Sequence, residues 1–264
     1  MADCGDECLI DKLREPLTMW PREVANFIVP SAPKTFFYIP DFLDPDAERE
    51  LLNNIYSAGK WKCLSHRRLQ IWGGTPHPNG MIAEDIPGWL HRLMDRVSDF
   101  GIFGHNRANH VLINEYEPGQ GIMPHHDGSL YYPVVATVNL GGHSTLDFYK
   151  PITAETSNAS LFARYVGSAL LMPRSLNIVT ESLYTYFMHG IEERETDYLP
   201  RIKDDPNSPK RVESDSQIEK RLFNLPQIPN SEDLSHLLKR KKRVSITIRH
   251  VPRTRSVNIL RTFR

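Results

Sequence analysis

One short segment carries two potential metal-binding residues at a spacing that lets them act together. His125, His126 and Asp127 follow the stretch Gly119–Pro124. In an extended chain alternate side chains lie on one face, so His125 and Asp127 can bind one ion while His126 points elsewhere. An imidazole and a carboxylate are two of the three protein ligands in the facial triad of non-haem Fe(II) oxygenases. The segment therefore predicts a metal site that needs one further ligand.

The third ligand must come from another part of the chain. His189 follows an apolar segment and precedes Gly190, where the chain can turn tightly, and this makes it the best candidate. His143 is the second candidate, so the choice stays open at this point. Because the chain contains 11 histidines, a His-x-Asp spacing alone has little specificity.

A later segment alternates between polar and apolar residues. Val244, Ile246 and Ile248 share one face, and Arg243, Ser245, Thr247 and Arg249 share the other. Guanidinium groups directed into a protein interior are costly without a bound anion, and a dicarboxylate would match them. An edge strand with its polar face in water explains the alternation equally well. On another predicted strand Asn114 and Tyr116 share a face, from which they can reach the same anion.

The order of these features along the chain resembles that in the AlkB family of Fe(II)/2-oxoglutarate-dependent dioxygenases. The matching positions are Asn114, Tyr116, His125, Asp127, His189 and the strand 243–249. The resemblance extends from about residue 38 to residue 252, most of the chain. Four longer strings resemble one branch of that family in particular, namely residues 67–78, 121–125, 130–133 and 146–149.

The resemblance implies a cofactor, two cosubstrates and a set of catalytic residues. Fe(II) would be bound by His125, Asp127 and His189. The 2-oxoglutarate contacts would come from Asn114, Tyr116, Arg243, Ser245, Thr247 and Arg249. Family members use O2 to decarboxylate 2-oxoglutarate to succinate and hydroxylate an N-alkyl carbon, after which an aldehyde and a free amine are released. They hold a flipped base under an N-terminal lid, for which the candidate substrate contacts here are Arg67, Trp72, Tyr131 and Tyr132.

The elements that must position these residues are mainly strands. After residue 109 the apolar pattern has a period of two, with predicted strands at 110–116, 133–140, 145–149, 168–172, 175–179 and 243–251. Before them we expect a strand at 35–39, a helix beginning at Asp44–Pro45 and a second helix beginning near Pro87. Many short strands favour a β-sandwich or a double-sheet roll. With the resemblance, the predicted fold is α+β, mainly β, with a double-stranded β-helix (jelly-roll) core and N-terminal helices packed on one sheet.

This fold predicts four segments along the chain. Residues 1–33 form a flexible N-terminal segment, and residues 34–106 hold a strand, helices and the candidate substrate lid. Residues 107–252 form the jelly roll, and a polar surface insert at 192–240 interrupts it. Residues 253–264 form a basic C-terminal tail.

Composition narrows the classes of protein. Lys and Arg total 32, as do Asp and Glu, and this zero net charge excludes a strongly basic DNA-coating protein. Ten of the basic residues lie in 239–264, which has no acidic residue, so this region is either a surface for an anionic partner or a solvated tail. No apolar run is long enough for a membrane helix, and residues 1–12 resemble neither a secretory signal nor a transit peptide. Three cysteines argue against a disulfide framework.

Three functions fit these observations. The first is an oxygenase that dealkylates nucleic acid, the second applies the same chemistry to a protein side chain, and the third is a non-catalytic β-roll that binds nucleic acid or another partner. We expect a monomer with no membrane association. We also expect cytoplasmic and nuclear residence, with residues 239–243 as a weak import signal.

Overall fold

The computed structural model describes residues 20–33, 35–154, 156–157, 159–199 and 221–255. The helices are α1 (Arg22–Ala25), α2 (Pro45–Ser57), α3 (Gly88–Ser98) and α4 (Glu181–Thr185), with 3-10 helices at Phe162–Arg164, Leu225–Gln227 and Ser231–Asp233. Within these ranges, no helix combines the length and apolar character needed to cross a bilayer.

Fifteen strands are found in the described part of the chain. They are β1 (Phe36–Ile39), β2 (Lys62–Cys63), β3 (Arg68–Trp72), β4 (Met81–Ile82), β5 (His110–Tyr116), β6 (Ile122–His125), β7 (Val134–Gly141), β8 (Ser144–Tyr149), β9 (Tyr165–Leu171), β10 (Leu176–Thr180), β11 (Met188–Ile191), β12 (Thr196–Tyr198), β13 (Leu237–Lys239), β14 (Arg243–Arg249) and β15 (Thr254–Arg255).

Two facing sheets carry most of these strands. The larger sheet has the order β1-β10-β7-β14-β5-β3-β2, and the smaller has the order β6-β11-β8-β9. From β5 to β8, and again from β9 through β11 to β14, the chain alternates between the two sheets, as in a double-sheet jelly roll. The predicted mainly β fold with a double-stranded β-helix core is confirmed.

Strand β14 lies inside the larger sheet between β5 and β7. Its register pairs Arg243 with Tyr116 and Arg249 with His110. Every residue of β14 is buried, so the alternative of an edge strand with a solvated polar face is wrong. Its apolar residues join the core cluster that includes the helices, and its polar residues line a cavity between the sheets.

Helices α2 and α3 cover the outer face of the larger sheet. The Asp44 carboxylate accepts a hydrogen bond from the Ala47 N–H at 2.8 Å and caps α2, and Pro45 occupies its first turn. The buried apolar residues of α3 recur at helical spacing and pack with those of α2 on the sheet; they are Leu90, Leu93, Met94 and Val97. Both predicted helices are therefore present in the predicted layer.

Each of the four predicted segments is described only in part. Residues 20–33, grouped from the sequence with a flexible segment, pack on the larger sheet, where Val24 is buried and Ile28 bridges Phe37. Residues 1–19 are outside the described ranges, as are 200–220 of the insert and 256–264 of the tail. The described ends of the insert form the antiparallel pair β12–β13, and β15 pairs in parallel with β4.

A buried ion pair fixes the two ends of the insert on the smaller sheet. Arg240 donates hydrogen bonds of 2.7 and 2.8 Å to the Asp197 carboxylate, which also accepts one from the Thr145 hydroxyl on β8. The His143 Nε2 lies 3.3 Å from the same carboxylate. Asp197 and Arg240 are both buried, so part of the predicted surface insert belongs to the interior.

We expect Asp197→Ala to lower the free energy of unfolding by about 3–5 kcal/mol, because it leaves the Arg240 charge buried without its carboxylate. Urea denaturation measures the change. The matched control is Lys242→Ala, which removes an exposed ion pair with Glu117 and should cost no more than about 1 kcal/mol. Equal losses in the two variants would contradict the prediction.

A second ion pair, between Glu115 on β5 and Arg68 on β3, makes the stability of the fold dependent on pH. Burial acts to raise the pKa of the Glu115 carboxyl, but hydrogen bonds from Arg68 and Tyr56 hold that pKa below its usual value. A carboxyl with a lowered pKa stabilises the fold above its unfolded pKa of about 4.3, and this contribution disappears as the pH falls through the folded pKa. Glu115→Gln should therefore destabilise the protein at neutral pH, and the difference from wild type should vanish in acid. Thermal unfolding across this pH range tests this, with the exposed Glu50→Gln as a control that should show no such convergence.

Candidate active site

A cavity of about 270 Å³ opens between the two sheets. The larger sheet contributes polar residues from β5 and β14, and the smaller sheet contributes residues from β6 and β11. Thr137 of β7 and Asn177 of β10 add further polar side chains, and the apolar part of the wall consists of Leu112, Ile122, Val135, Leu146, Leu171, Val179 and Ile191. The cavity thus combines an apolar wall with convergent polar and charged groups, as expected of a small-molecule site.

The predicted metal-binding residues converge on this cavity. His125 ends β6, Asp127 follows two residues later, and His189 lies on the neighbouring strand β11, where it is the register partner of His125. One ligand atom from each of the three residues lies within 4.8 Å of the others. His143, the second candidate for the third ligand, instead lies beside Asp197. The structure thus brings His189, and not His143, close to His125 and Asp127.

Hydrogen bonding prepares His125 for metal binding. Its Nδ1 lies 2.8 Å from the Met123 carbonyl oxygen. A carbonyl can only accept, so Nδ1 donates to it, and Nε2 is the ring nitrogen left to face a metal ion. His126 makes its own contact, from Nε2 to the Tyr186 carbonyl at 3.1 Å.

Charges around Asp127 keep its carboxylate ionised. Burial acts to raise its pKa, but the positive charge of Arg249 holds that pKa below its ordinary value. Arg249 Nη2 also donates a hydrogen bond to this carboxylate. Burial lowers the pKa of His189 to about 4, so its imidazole is neutral at neutral pH and able to bind a metal ion.

All six predicted 2-oxoglutarate contacts line the same cavity, namely Asn114, Tyr116, Arg243, Ser245, Thr247 and Arg249. The register of β14 against β5 places Ser245 beside Asn114, as it does Arg243 beside Tyr116. The Nε and Nη1 atoms of Arg243 and the Nε of Arg249 are buried and have no hydrogen-bond partner among the described residues. Such donors fit a carboxylate-bearing ligand.

The four predicted substrate contacts divide into two pairs. Arg67 and Tyr131 line the cavity. Trp72 packs edge-on against Trp89 of α3, and Tyr132 packs against Phe103. Both therefore pack toward the helical layer and do not line the cavity, and their role as substrate contacts stays a prediction. The reason for this packing is alternation, because neighbouring residues of an extended chain point to opposite faces.

Two further features at or beside the cavity were not predicted from the sequence. His110, the first residue of β5, is buried with its ring 5.5 Å from that of Tyr131, which lines the cavity. Burial, and next the charge of Arg249, lower the pKa of His110 to about 3, so its imidazole is neutral. Arg67 donates from Nε to the Asn114 Oδ1 at 3.1 Å. The pairing of β14 with β5 would have located His110, but one sequence does not reveal that register.

Known proteins similar to this chain include members of one enzyme family. Residues 59–249 match the family described as the 2OG-Fe(II) oxygenase superfamily. A zebrafish (Danio rerio) protein named "Probable RNA/DNA demethylase ALKBH6" is 39% identical over 241 residues, which cover 90% of this chain and 94% of that protein. The Xenopus tropicalis "tRNA (carboxymethyluridine(34)-5-O)-methyltransferase alkbh8" is 27% identical over 74% of this chain and 32% of its own length. The solved structure of OsALKBH1 has 12% identity and a TM-score of 0.48, and the match covers 81% of this chain and 96% of that one.

The chain belongs to the 2OG-Fe(II) oxygenase superfamily. It is thus an oxidoreductase of the 2-oxoglutarate-dependent dioxygenase class. Within that superfamily it is AlkB-like, and the branch that the four strings in the sequence resemble, AlkB homologue 6, is the one represented by the zebrafish relative. The predicted family is confirmed.

Proposed function

We propose that this dioxygenase removes N-alkyl groups from alkylated nucleic acid. The observation that carries the proposal is the His125–Asp127–His189 cluster, which opens into a cavity that also holds the unsatisfied donors of Arg243. A facial triad leaves metal positions open for cosubstrates, and buried guanidinium groups supply the charge that a dicarboxylate needs.

The residues present fit Fe(II) and 2-oxoglutarate. His125, Asp127 and His189 would hold the metal ion, and Arg243 would bind one carboxylate of 2-oxoglutarate. When bound, the metal and this cosubstrate supply the oxidising power for hydroxylation with O2. The chain itself orients the ligands, keeps Asp127 ionised through Arg249 and surrounds the reacting groups with apolar side chains. A hydroxylated N-alkyl carbon then loses its amine spontaneously as an aldehyde forms.

Two observations favour nucleic acid as the substrate. The zebrafish relative, similar over nine tenths of this chain, is named as a probable RNA/DNA demethylase. In addition Tyr131 places an aromatic ring in the cavity wall, with the Arg249 guanidinium 4.7 Å from the ring centroid. Enzymes that modify a base accept it extruded from the helix and hold it against such side chains. The basic residues that begin at Lys239 do not form one continuous exposed run, because Arg240 and Arg243 are buried.

A substrate panel tests the proposal. Full-length protein with Fe(II), 2-oxoglutarate and O2 is incubated with N-alkylated RNA, N-alkylated DNA and alkylated peptides, with unmodified counterparts as controls. We expect formaldehyde from a methylated oligonucleotide, with activity that falls steeply as salt is raised because phosphate contacts are screened. Formaldehyde from peptides alone would replace nucleic acid with protein as the substrate. Succinate without formaldehyde from any substrate would reject N-dealkylation and keep the dioxygenase class.

A further inference from the structure

The buried Arg243 has an unusual partner for a guanidinium group. Its Nη2 donates to the amide oxygen of Asn139 at 2.7 Å. The other two nitrogens, Nε and Nη1, have no hydrogen-bond partner in the described part of the chain. Arg240 and Arg249, the other two buried arginines of the same region, each contact a carboxylate instead. Arg243 is therefore held by a neutral group.

Hydrogen bonds fix the orientation of the Asn139 side-chain amide. Its amide nitrogen lies 3.1 Å from the Asn177 Oδ1, 3.1 Å from the Ser175 hydroxyl and 3.3 Å from the Ser175 carbonyl oxygen. The Ser175 hydroxyl donates to the Met172 carbonyl at 2.6 Å, so it accepts from Asn139. Because acceptors surround the amide nitrogen, the amide oxygen must face Arg243. Asn139, Asn177 and Ser175 are all fully or almost fully buried, which fixes this arrangement.

The neutral partner has an electrostatic consequence. Burial lowers the pKa of Arg243 to about 10, so the group is still charged at neutral pH. A carboxylate at position 139 would neutralise that charge inside the protein. An amide oxygen instead holds the guanidinium in place while its charge and two of its nitrogens stay available for an anionic ligand.

We infer that Asn139 is a positioning residue that fixes Arg243 as the receptor for the distal carboxylate of the cosubstrate, and that its neutrality is what the site requires. This inference rests on the proposed function, since it takes 2-oxoglutarate as the ligand of Arg243. It assigns a role to a side chain that contacts Arg243 rather than the cosubstrate. Asn139 therefore affects affinity for ligands that carry the distal carboxylate and spares those that lack it.

The test compares two ligands in the full-length protein with Mn(II) in place of iron. N-oxalylglycine has both carboxylates of 2-oxoglutarate, whereas oxamate keeps the oxalyl end and lacks the distal carboxylate. Calorimetric titration gives both dissociation constants for wild type, Asn139→Asp and Asn139→Ala. Asn106→Asp is the matched control, because it makes the same charge change at an exposed position outside the cavity lining.

We expect Asn139→Asp to weaken N-oxalylglycine binding at least about tenfold, the effect of one charge-assisted hydrogen bond, and to leave oxamate binding unchanged. Asn139→Ala should weaken N-oxalylglycine binding less than Asn139→Asp does. Alanine removes the hydrogen bond to Arg243 but adds no opposing charge. A purely structural role would make alanine at least as damaging to N-oxalylglycine binding as aspartate.

Each outcome decides the matter. N-oxalylglycine affinity in Asn139→Asp equal to wild type, or an equal loss for both ligands, overturns the inference. If Asn139→Asp does not fold, an unchanged preference for N-oxalylglycine over oxamate in Asn139→Ala overturns it. If wild type itself shows no Mn(II)-dependent binding of N-oxalylglycine, the proposed function fails and the inference falls with it. The results for Asn139→Asp and Asn139→Ala leave the proposed function unaffected.

Discussion

Asp127→Ala is expected to reduce 2-oxoglutarate-dependent succinate formation by more than about a hundredfold. Loss of a group that merely supports a metal ligand costs about 10–100-fold in affinity or activity, and Asp127 is the one carboxylate of the proposed ligand set. The substitution also leaves Arg249 without its ionic partner, so a cation remains buried where a metal ion must bind. Succinate release measures the loss directly.

His126→Ala is the matched control for this variant. His126 is adjacent in sequence, but its imidazole contacts the Tyr186 carbonyl and does not belong to the three-residue cluster. We expect His126→Ala to keep most of the succinate formation and the increase in melting midpoint caused by Mn(II), and Asp127→Ala to lose both. Succinate formation unchanged in Asp127→Ala would remove the proposed iron site.

The sequence predicted the parts of the site that depend on periodicity. Alternation along 243–249 assigned every residue of β14 to the correct face, and the His-x-Asp spacing assigned His125 and Asp127 to one site. The helices α2 and α3 were predicted because a proline near the start and an apolar stripe are local signals. Their packing on the sheet follows from that stripe.

The sequence alone could not show which side of the sheet an isolated residue faces, or which distant segments pair with each other. Trp72 and Tyr132 were predicted as substrate contacts because they are aromatic and lie near the site in sequence, yet both face the helical layer. The strands β6 and β11 are four residues each, too short to give a periodic signal, although they hold two of the proposed metal ligands. Asp197 and Arg240 are charged residues in a polar stretch, and their burial depends on a pairing that the sequence does not reveal.

Arg243→Met is expected to separate the stability of the fold from the affinity for the cosubstrate. Methionine fills a similar volume without burying a charge whose Nε and Nη1 are unsatisfied in the described structure. The melting midpoint without ligand should therefore fall little, because removal of the buried charge offsets the loss of the hydrogen bond to Asn139. Removing one member of a buried, hydrogen-bonded charge pair costs about 2–5 kcal/mol, which corresponds to a rise in the KM for 2-oxoglutarate of at least about thirtyfold.

Arg164→Met controls for the loss of a buried arginine elsewhere in the fold. Arg164 is buried and donates to the Lys150 carbonyl at 3.0 Å, but it does not line the cavity. Its replacement should leave the KM for 2-oxoglutarate unchanged. Steady-state kinetics across 2-oxoglutarate concentrations and unfolding without ligand give the two quantities for each variant. A lower melting midpoint with an unchanged KM in Arg243→Met would make Arg243 a structural residue. A buried arginine whose role is to bind an anion instead lowers the stability of the protein without that anion.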